Sequence, residues 1–244
     1  MQTLPLVFLK NAIYKPTWDL QEEILTYNLS IKKVNKGKVN TVPTISTFLL
    51  CEHNSVYTLG KSGKLENLLL NEQQLKEKGI DYWHINRGGD ITYHGPGQIT
   101  GYPIFDLESF KPSAAWFIET IEDAIIDCLM EFDIKAQRID GLTGVWIKGE
   151  TEAEDRKICA IGVKMSRWVS IHGFALNVDT DLNYFNNIIP CGIDDKKVTT
   201  MSRELARSVS IDEVIPILTT CFEQRFNIKF NNITLDSLKQ MIGS

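Results

Sequence analysis

The stretch KICAIGVKMSRWVSIHGFALNV, residues 157–178, holds two strand-like runs, KICAIGVKM (157–165) and SIHGFALNV (170–178), spaced closely enough to pair as a hairpin. A third run, GVWIK (144–148), precedes them, and the acidic GETEAEDR (149–156) reads as the solvated hairpin loop joining it to the second. Further upstream, ISTFLLCEH (45–53), VYTLG (56–60) and YWHIN (82–86) are also strand-like, rich in β-branched and aromatic residues. Helices interrupt these strands. Thr17 is placed to cap one with Leu20, Ile24, Tyr27 and Ile31 along one side, and the Lys-rich KKVNKGKVN after it reads as a mobile connection. Leu68 to Lys78 reads as a short helix closed by Gly79. A long helix begins at Ser113 with Phe117, Ile121, Ala124, Cys128 and Phe132 inward, and Ser210 with Glu213 forms a capping box. Behind that box run Val214, Leu218, Cys221 and Phe222, with Pro216 as a kink. Strands and helices are interspersed without strict alternation, which predicts an α+β fold with a mixed, largely antiparallel sheet flanked by helices. No repeat or long linker divides the chain, so residues 1–244 are expected to form one domain.

At 244 residues and 43% hydrophobic, the chain can bury one substantial core. A net charge of −5 argues against nucleic acid as a partner, since phosphate neutralisation needs a dominant basic surface. The N-terminal MQTLPLVFLKN lacks the features of a leader, and no run approaches the roughly 20 apolar residues of a membrane span. A cytoplasmic protein without a membrane partner is therefore expected. The five cysteines are odd in number and lack paired spacing, which favours free thiols, and neither they nor the four histidines show metal-ligand spacing.

Chemistry concentrates in three places. The segment RGGDITYHGPGQITGYPI (87–104) has glycines at 88, 89, 95 and 97 and Pro96 beside Arg87, Tyr93 and His94, which suits either a ligand-binding loop or a pair of ordinary hairpin turns. It contains neither GxGxxG nor GxxxxGK[ST], so nucleotide binding loses its usual support. In KICAIGVKM, alternation puts Lys157 on the face of Cys159, Ile161, Val163 and Met165, where an ammonium is either desolvated or, at the strand start, turned to solvent. Lys164, on the opposite parity, is the second candidate. Cys191, in NIIPCGI (187–193), sits in a Pro-Cys-Gly turn outside any helical stripe, the setting of an accessible thiol. A reactive thiol needs a nearby cation to stabilise its thiolate. His172 reads as either a hydrogen-bonded structural group or a pocket wall next to Gly173, His53 is similar, and His84 reads as structural.

Taken together, EHNSVYTLG (52–60), RGGDITYHGPGQ (87–98), GVWI (144–147), KICAIGVKMSRWVSIHGFALNV (157–178) and NIIPCGI (187–193) resemble the lipoyl(octanoyl) transferase family over most of the chain. The resemblance implies the fold of the lipoate and biotin protein ligase catalytic domain. It implies transfer of an octanoyl group from octanoyl-acyl carrier protein to a lysine of lipoyl domains, in 2-oxoacid dehydrogenase complexes and the glycine cleavage H protein. It assigns the acyl thioester to Cys191 and its partner amine to Lys157 rather than Lys164. Substrate binding falls to Arg87, Gly88, Gly89, Asp90, Ile91, Thr92, Tyr93 and His94, to Ala160, Ile161 and Gly162, and to Gly173, Phe174 and Ala175. No cofactor is implied, because the thioester donor is already activated. An acidic carrier would meet a basic rim drawn from Lys164, Arg167, Lys196, Lys197, Arg203 and Arg207. The loop 148–156 before Lys157 departs from the family pattern in its length. Two other classes stay open: an ATP-dependent ligase of the same fold, which needs no nucleophilic cysteine, and a non-enzymatic module that binds acylated carriers.

Overall fold

A computed structural model describes residues 1–189 and 197–243. The chain begins with strand β1 (Gln2–Ala12) and helix α1 (Tyr14–Asn35), followed by β2 (Thr47–His53) and β3 (Val56–Leu59). A short helix α2 (Glu72–Lys78) leads into β4 (Asp81–His84), β5 (Ile91–His94) and β6 (Gln98–Ile104). The long helix α3 (Ala114–Met130) precedes β7 (Gln137–Ile139), β8 (Leu142–Ile147), β9 (Arg156–Ser166) and β10 (Val169–Asn177). Then come β11 (Lys197–Val198), α4 (Met201–Leu205), α5 (Ile211–Phe226), β12 (Ile228–Asn232) and α6 (Leu235–Ile242).

The larger sheet has the order β12-β1-β2-β6-β10-β9-β8-β7, with β11 beside β9, and a smaller one has the order β4-β3-β5. Pairing is parallel for β1 with β12 and β2, for β9 with β11 and for β3 with β4, and antiparallel elsewhere. This is the expected mixed, largely antiparallel sheet flanked by helices. The helices cover both faces because both faces are apolar. On one side Phe117, Ile121 and Cys128 of α3 and Phe222 and Phe226 of α5 pack against Phe48, Phe174 and Ile158 of the sheet. On the other, Leu20, Ile24 and Leu25 of α1 and Leu238 of α6 meet Leu49, Tyr102, Ile104 and Ile171. Each such fully buried side chain contributes about 1.5–3 kcal/mol through removal from water.

Caps fix where several helices start. The Ser113 hydroxyl accepts from the Trp116 N–H, and Ser210 and Glu213 form the reciprocal box read from the sequence. Several expectations need correction. Thr17 is no cap: α1 starts one turn earlier, at Tyr14, and the Thr17 hydroxyl donates to the Ile13 carbonyl inside the helix. The buried side of α1 is Tyr14, Thr17, Leu20, Gln21, Ile24, Leu25 and Asn28, so Tyr27 and Ile31 lie at its margin. The first half of KKVNKGKVN continues this helix. The helix expected from Leu68 starts only at Glu72, where Asn71 and Gln74 make a capping box, while Leu68 bridges to Ile188. Nor is the acidic loop wholly solvated: Asp155 is buried and accepts from the Gly149 N–H (3.0 Å), and Arg156 is held by Glu204 through two bonds of 2.7 and 2.6 Å. The extra length of 148–156 thus folds back on itself, and β9 starts cleanly at Arg156.

The centre of the sheet tolerates almost no added volume. A Cβ at Gly173 would lie 2.1 Å from the Gly101 carbonyl oxygen on the neighbouring strand, a contact with backbone that cannot rotate away. Gly173→Ala is therefore expected to lower the unfolding free energy by about 1–3 kcal/mol, as overpacking does. Urea unfolding checks this, and an unchanged midpoint would show that β6 and β10 can separate freely.

Candidate active site

Strand β9 lies between β10 and β8, and its pairing sets where Lys157 points. Val145 pairs with Cys159 but the next residue, Trp146, pairs with Lys157, so Ile158 is an extra residue on the β9 side, a β-bulge. The bulge breaks the alternation assumed from sequence: Ile158 and Cys159 both enter the core beneath α3, and Lys157 lines a cavity together with Ala160 and Gly162. Gly144 makes the bulge possible. Its φ is +119°, a Cβ there would lie 2.6 Å from the Cys159 carbonyl oxygen, and its N–H donates to the buried Glu122 carboxylate at 2.9 Å. The Lys157 Nζ stands over the Trp146 ring, 4.6 Å from its centroid, a cation–π placement worth about 0.5–2 kcal/mol.

The cavity runs from Lys157 between β9–β10 and the 87–94 segment. Of the residues expected at the site, Arg87, Gly89, Asp90, Ile91, Thr92 and His94 line it from that segment. From the sheet, Lys157, Ala160, Ile161, Gly162, Gly173, Phe174 and Ala175 complete it. Two expected residues do not. Gly88 donates its N–H to the Val163 carbonyl at 3.1 Å and faces a neighbouring groove. Tyr93 points away on the opposite parity of β5, stacked on Tyr184 with ring centroids 4.6 Å apart and bonded to Ser55. Cys191 lies outside the described residues, as does Lys196. The described chain stops at Ile189, whose N–H donates to the Asn67 carbonyl, and resumes at Lys197 in β11, where Val198 pairs with Lys157.

Gly162 and Gly173 serve close backbone approach: a Cβ at Gly162 would lie 2.8 Å from the Gly88 carbonyl oxygen, so the glycine lets the 87–89 loop lie directly on β9. Arg87 locks that loop. Its buried guanidinium donates to the Thr58 carbonyl (2.6 Å), the Thr58 hydroxyl and the Gly88 carbonyl (2.9 Å), which fixes the loop to β3, while the Gly88 N–H holds the same loop to Val163 of β9.

Sequence reasoning missed Tyr14, Gln98, Thr100, Tyr102, Asn177, Phe185 and Val198 as wall residues. Alternation within QITGYPI would have found Gln98, Thr100 and Tyr102 on one face, but Tyr14 arrives from a distant helix with no local signal. The histidines are set by neighbours. His94 Nδ1 donates to Gln98 Oε1 (2.9 Å) and its Nε2 accepts from the Thr58 hydroxyl, because Gln98 Nε2 is already committed to Asn177 Oδ1 and Thr58 Oγ1 accepts from Arg87. His53 sits behind the wall, bonded to the Ala12 carbonyl and the Tyr102 hydroxyl. His172 serves both roles left open by the sequence: it lines the cavity and donates through Nε2 to Asn86 Oδ1 (2.8 Å), with a left-handed φ of +60°. Burial pushes His53 down to about 4 and, with help from nearby positive charge, His94 and His172 to about 3, so all three are neutral at physiological pH. Burial also raises the thiols of Cys51, Cys128, Cys159 and Cys221, so none of these described cysteines is an activated nucleophile.

Among the described residues there is no cluster of His, Cys, Asp or Glu able to hold a metal, and no helix is long and apolar enough to cross a membrane. Of the expected basic rim, Lys164 is paired with Glu22 (3.2 Å) and Arg207 with Glu213 (3.3 Å), while Arg167, Lys197 and Arg203 are exposed.

The profile of the lipoyl protein ligase A/B catalytic domain matches residues 15–223. The chain is 50% identical over 227 residues to an octanoyltransferase of Cytophaga hutchinsonii, covering 91% of each chain. It is 51% identical over 220 residues to an octanoyltransferase of Flavobacterium johnsoniae, covering 88% of this chain and 94% of that one. Among solved structures, a lipoate-protein ligase A bound with ATP superposes with a TM-score of 0.69 at 18% identity, over 99% of this chain and 92% of that one, which shows a shared fold.

The neutral histidines make stability depend on acid. The unfolded chain binds protons at these rings near pH 6.5, whereas the native state excludes them until about pH 3–4, so below about pH 6.5 the unfolded state binds more protons. Unfolding free energy is expected to fall as pH drops from about 6.5 to 4, by on the order of 1 kcal/mol per pH unit for each ring. Urea unfolding at about pH 7.5, 6 and 5 checks the slope; equal stabilities would mean the rings titrate normally in the fold.

Proposed function

Because the chain belongs to the lipoyl protein ligase A/B catalytic family, among its octanoyltransferases, we propose that it moves an octanoyl group from octanoyl-acyl carrier protein to a lysine of lipoyl domains through a thioester on Cys191. The acceptors in this reading are the lipoyl domains of 2-oxoacid dehydrogenase complexes and the glycine cleavage H protein, and residues 1–244 act as one catalytic domain in the cytoplasm. The observation that carries it is the Lys157 amine in the wall of a largely apolar cavity, with the chain that follows Cys191 returning to pair with Lys157 at Val198. An acyl chain fits walls of Ile91, Ile161, Phe174 and Ala175 backed by uncharged histidines.

The reaction divides into two transfers. Lys157 takes the proton of the Cys191 thiol, and the thiolate attacks the donor carbonyl; the new C–S bond forms as the carrier's thiolate leaves and is protonated from the Lys157 ammonium. The acceptor lysine, as a free amine, then attacks the acyl-enzyme. Its C–N bond forms as the Cys191–acyl bond breaks, with Lys157 relaying the amine's proton to the departing sulfur. The donor is already a thioester, so this route consumes no ATP. The exposed Lys197 and Arg203, near β11 and α4, are the described members of the rim that an acidic carrier would meet.

Mixing the protein with octanoyl-carrier in the absence of ATP and metal should yield an octanoyl adduct by intact mass. The adduct should be absent in Cys191→Ala and form about 10²–10⁴-fold more slowly in Lys157→Met, the range expected for loss of a general base. Full acylation of Cys191→Ala would remove that thiol from the mechanism, and a requirement for ATP would favour a ligase.

A further inference from the structure

Lys157 stands where two depressions meet. The acyl cavity leads one way; a groove leads the other, bounded by the start of α3, the β7–β8 turn and β9, with Lys157, Gly89, Ile161, Gly162 and Val198 common to both. Its walls are the side chains of Ile118, Leu142, Trp146 and Val163, and Thr143 is exposed near the start of β8 at its edge. Among the described residues lining it, the ionisable side chains are Lys157 and Lys197, both cationic.

We propose that this groove holds the donor's arm, a linear amide-bearing thiol chain that ends in phosphate, while the acyl chain occupies the cavity. The inference rests on the acyl-transfer reading above and adds the location of the leaving group. A thioester whose carbonyl lies at Lys157 has two substituents, and the two depressions give each a separate path from that point. The acyl side takes the cavity enclosed by the 87–94 segment. The sulfur side carries amides, methyl groups and a terminal negative charge, which matches an apolar groove whose ionisable groups among the described residues are Lys157 and Lys197. The acceptor lysine reacts as an uncharged amine and brings no negative group for Lys197 to hold, so charge favours the anionic arm over the acceptor in this groove.

The groove then sets donor specificity: thioesters with the full phosphorylated arm are favoured over truncated ones. The test compares octanoyl-CoA, which carries that arm, with octanoyl-N-acetylcysteamine, which keeps only its sulfur end, as acylating agents followed by quenched intact mass. Two variants are used, Thr143→Trp to obstruct the groove from an exposed position near the start of β8 and Lys197→Glu to reverse its charge; circular dichroism and melting confirm that each folds. The ratio of kcat/KM for the two donors is expected to fall at least about tenfold in each variant, an effect the size of one lost charged or packed contact. A ratio within about twofold of the wild-type value in both variants overturns the proposal. So does a defect confined to transfer from the acyl-enzyme to a lipoyl domain, which would assign the groove to the acceptor. Failure of the wild-type protein to accept octanoyl from any of octanoyl-carrier, octanoyl-CoA and the short thioester would instead strike down the acyl-transfer reading itself, and the groove assignment with it.

Discussion

The antiparallel ladder between β9 and β10 is the constraint on which the site depends. It runs from Val169 opposite Ser166 to Leu176 opposite Cys159, and it places Gly162 across from Gly173. Those two glycines admit two different backbones, the 87–89 loop on β9 and β6 beside β10, at distances no side chain would allow. The ladder thus brings four chain segments together at one spot. Where it ends, the bulge at Ile158 rotates Lys157 out of the core pattern and into the cavity wall. A regular strand would have kept Lys157 on the side of Cys159, under α3, where a charge would be costly to bury.

The largely apolar cavity wall carries polar rings that add no charge. His53 and His94 are each fixed at both ring nitrogens, and His172 at one, by neighbours that leave the rings neutral. Charge enters the wall at Arg87, Asp90 and Lys157, and Arg87 is a buried guanidinium whose donors are taken up by Thr58 and Gly88. Spending its hydrogen bonds on backbone lets a cation act as a brace between the loop and β3 while the wall beside it stays suited to a hydrocarbon chain.

Much of this was legible from local pattern. Caps at Ser113 and Ser210 were read correctly because a capping box is a contact between residues three apart. Most segments that line the cavity were named through the resemblance to the lipoyl(octanoyl) transferase family, whereas local pattern alone left 87–104 open between a binding loop and ordinary turns. What escaped depended on partners far away in the chain. β1 passed unread: Pro5 interrupts it, and its partner β12 is at the other end of the sequence. The bulge at Ile158 was invisible because nothing in KICAIGVKM records the register of β8. Tyr93 was misplaced for a plainer reason. Once the segment formed a strand, alternation had to turn it from Thr92 and His94. Asp155 looked like one more surface acid until the Gly149 amide turned towards it.

Parallel pairing of β1 with β12 also bears on how the polypeptide is made. Gln2 lies beside Ile228, so during synthesis β1 gains β2 early but keeps its other border bare until β12 has been made. For that interval the nascent chain presents an unsatisfied row of amides and carbonyls next to Leu4 and Leu6, a surface prone to adhere to other strands. Until β12 arrives, adhesion to foreign strands competes with native closure of that border.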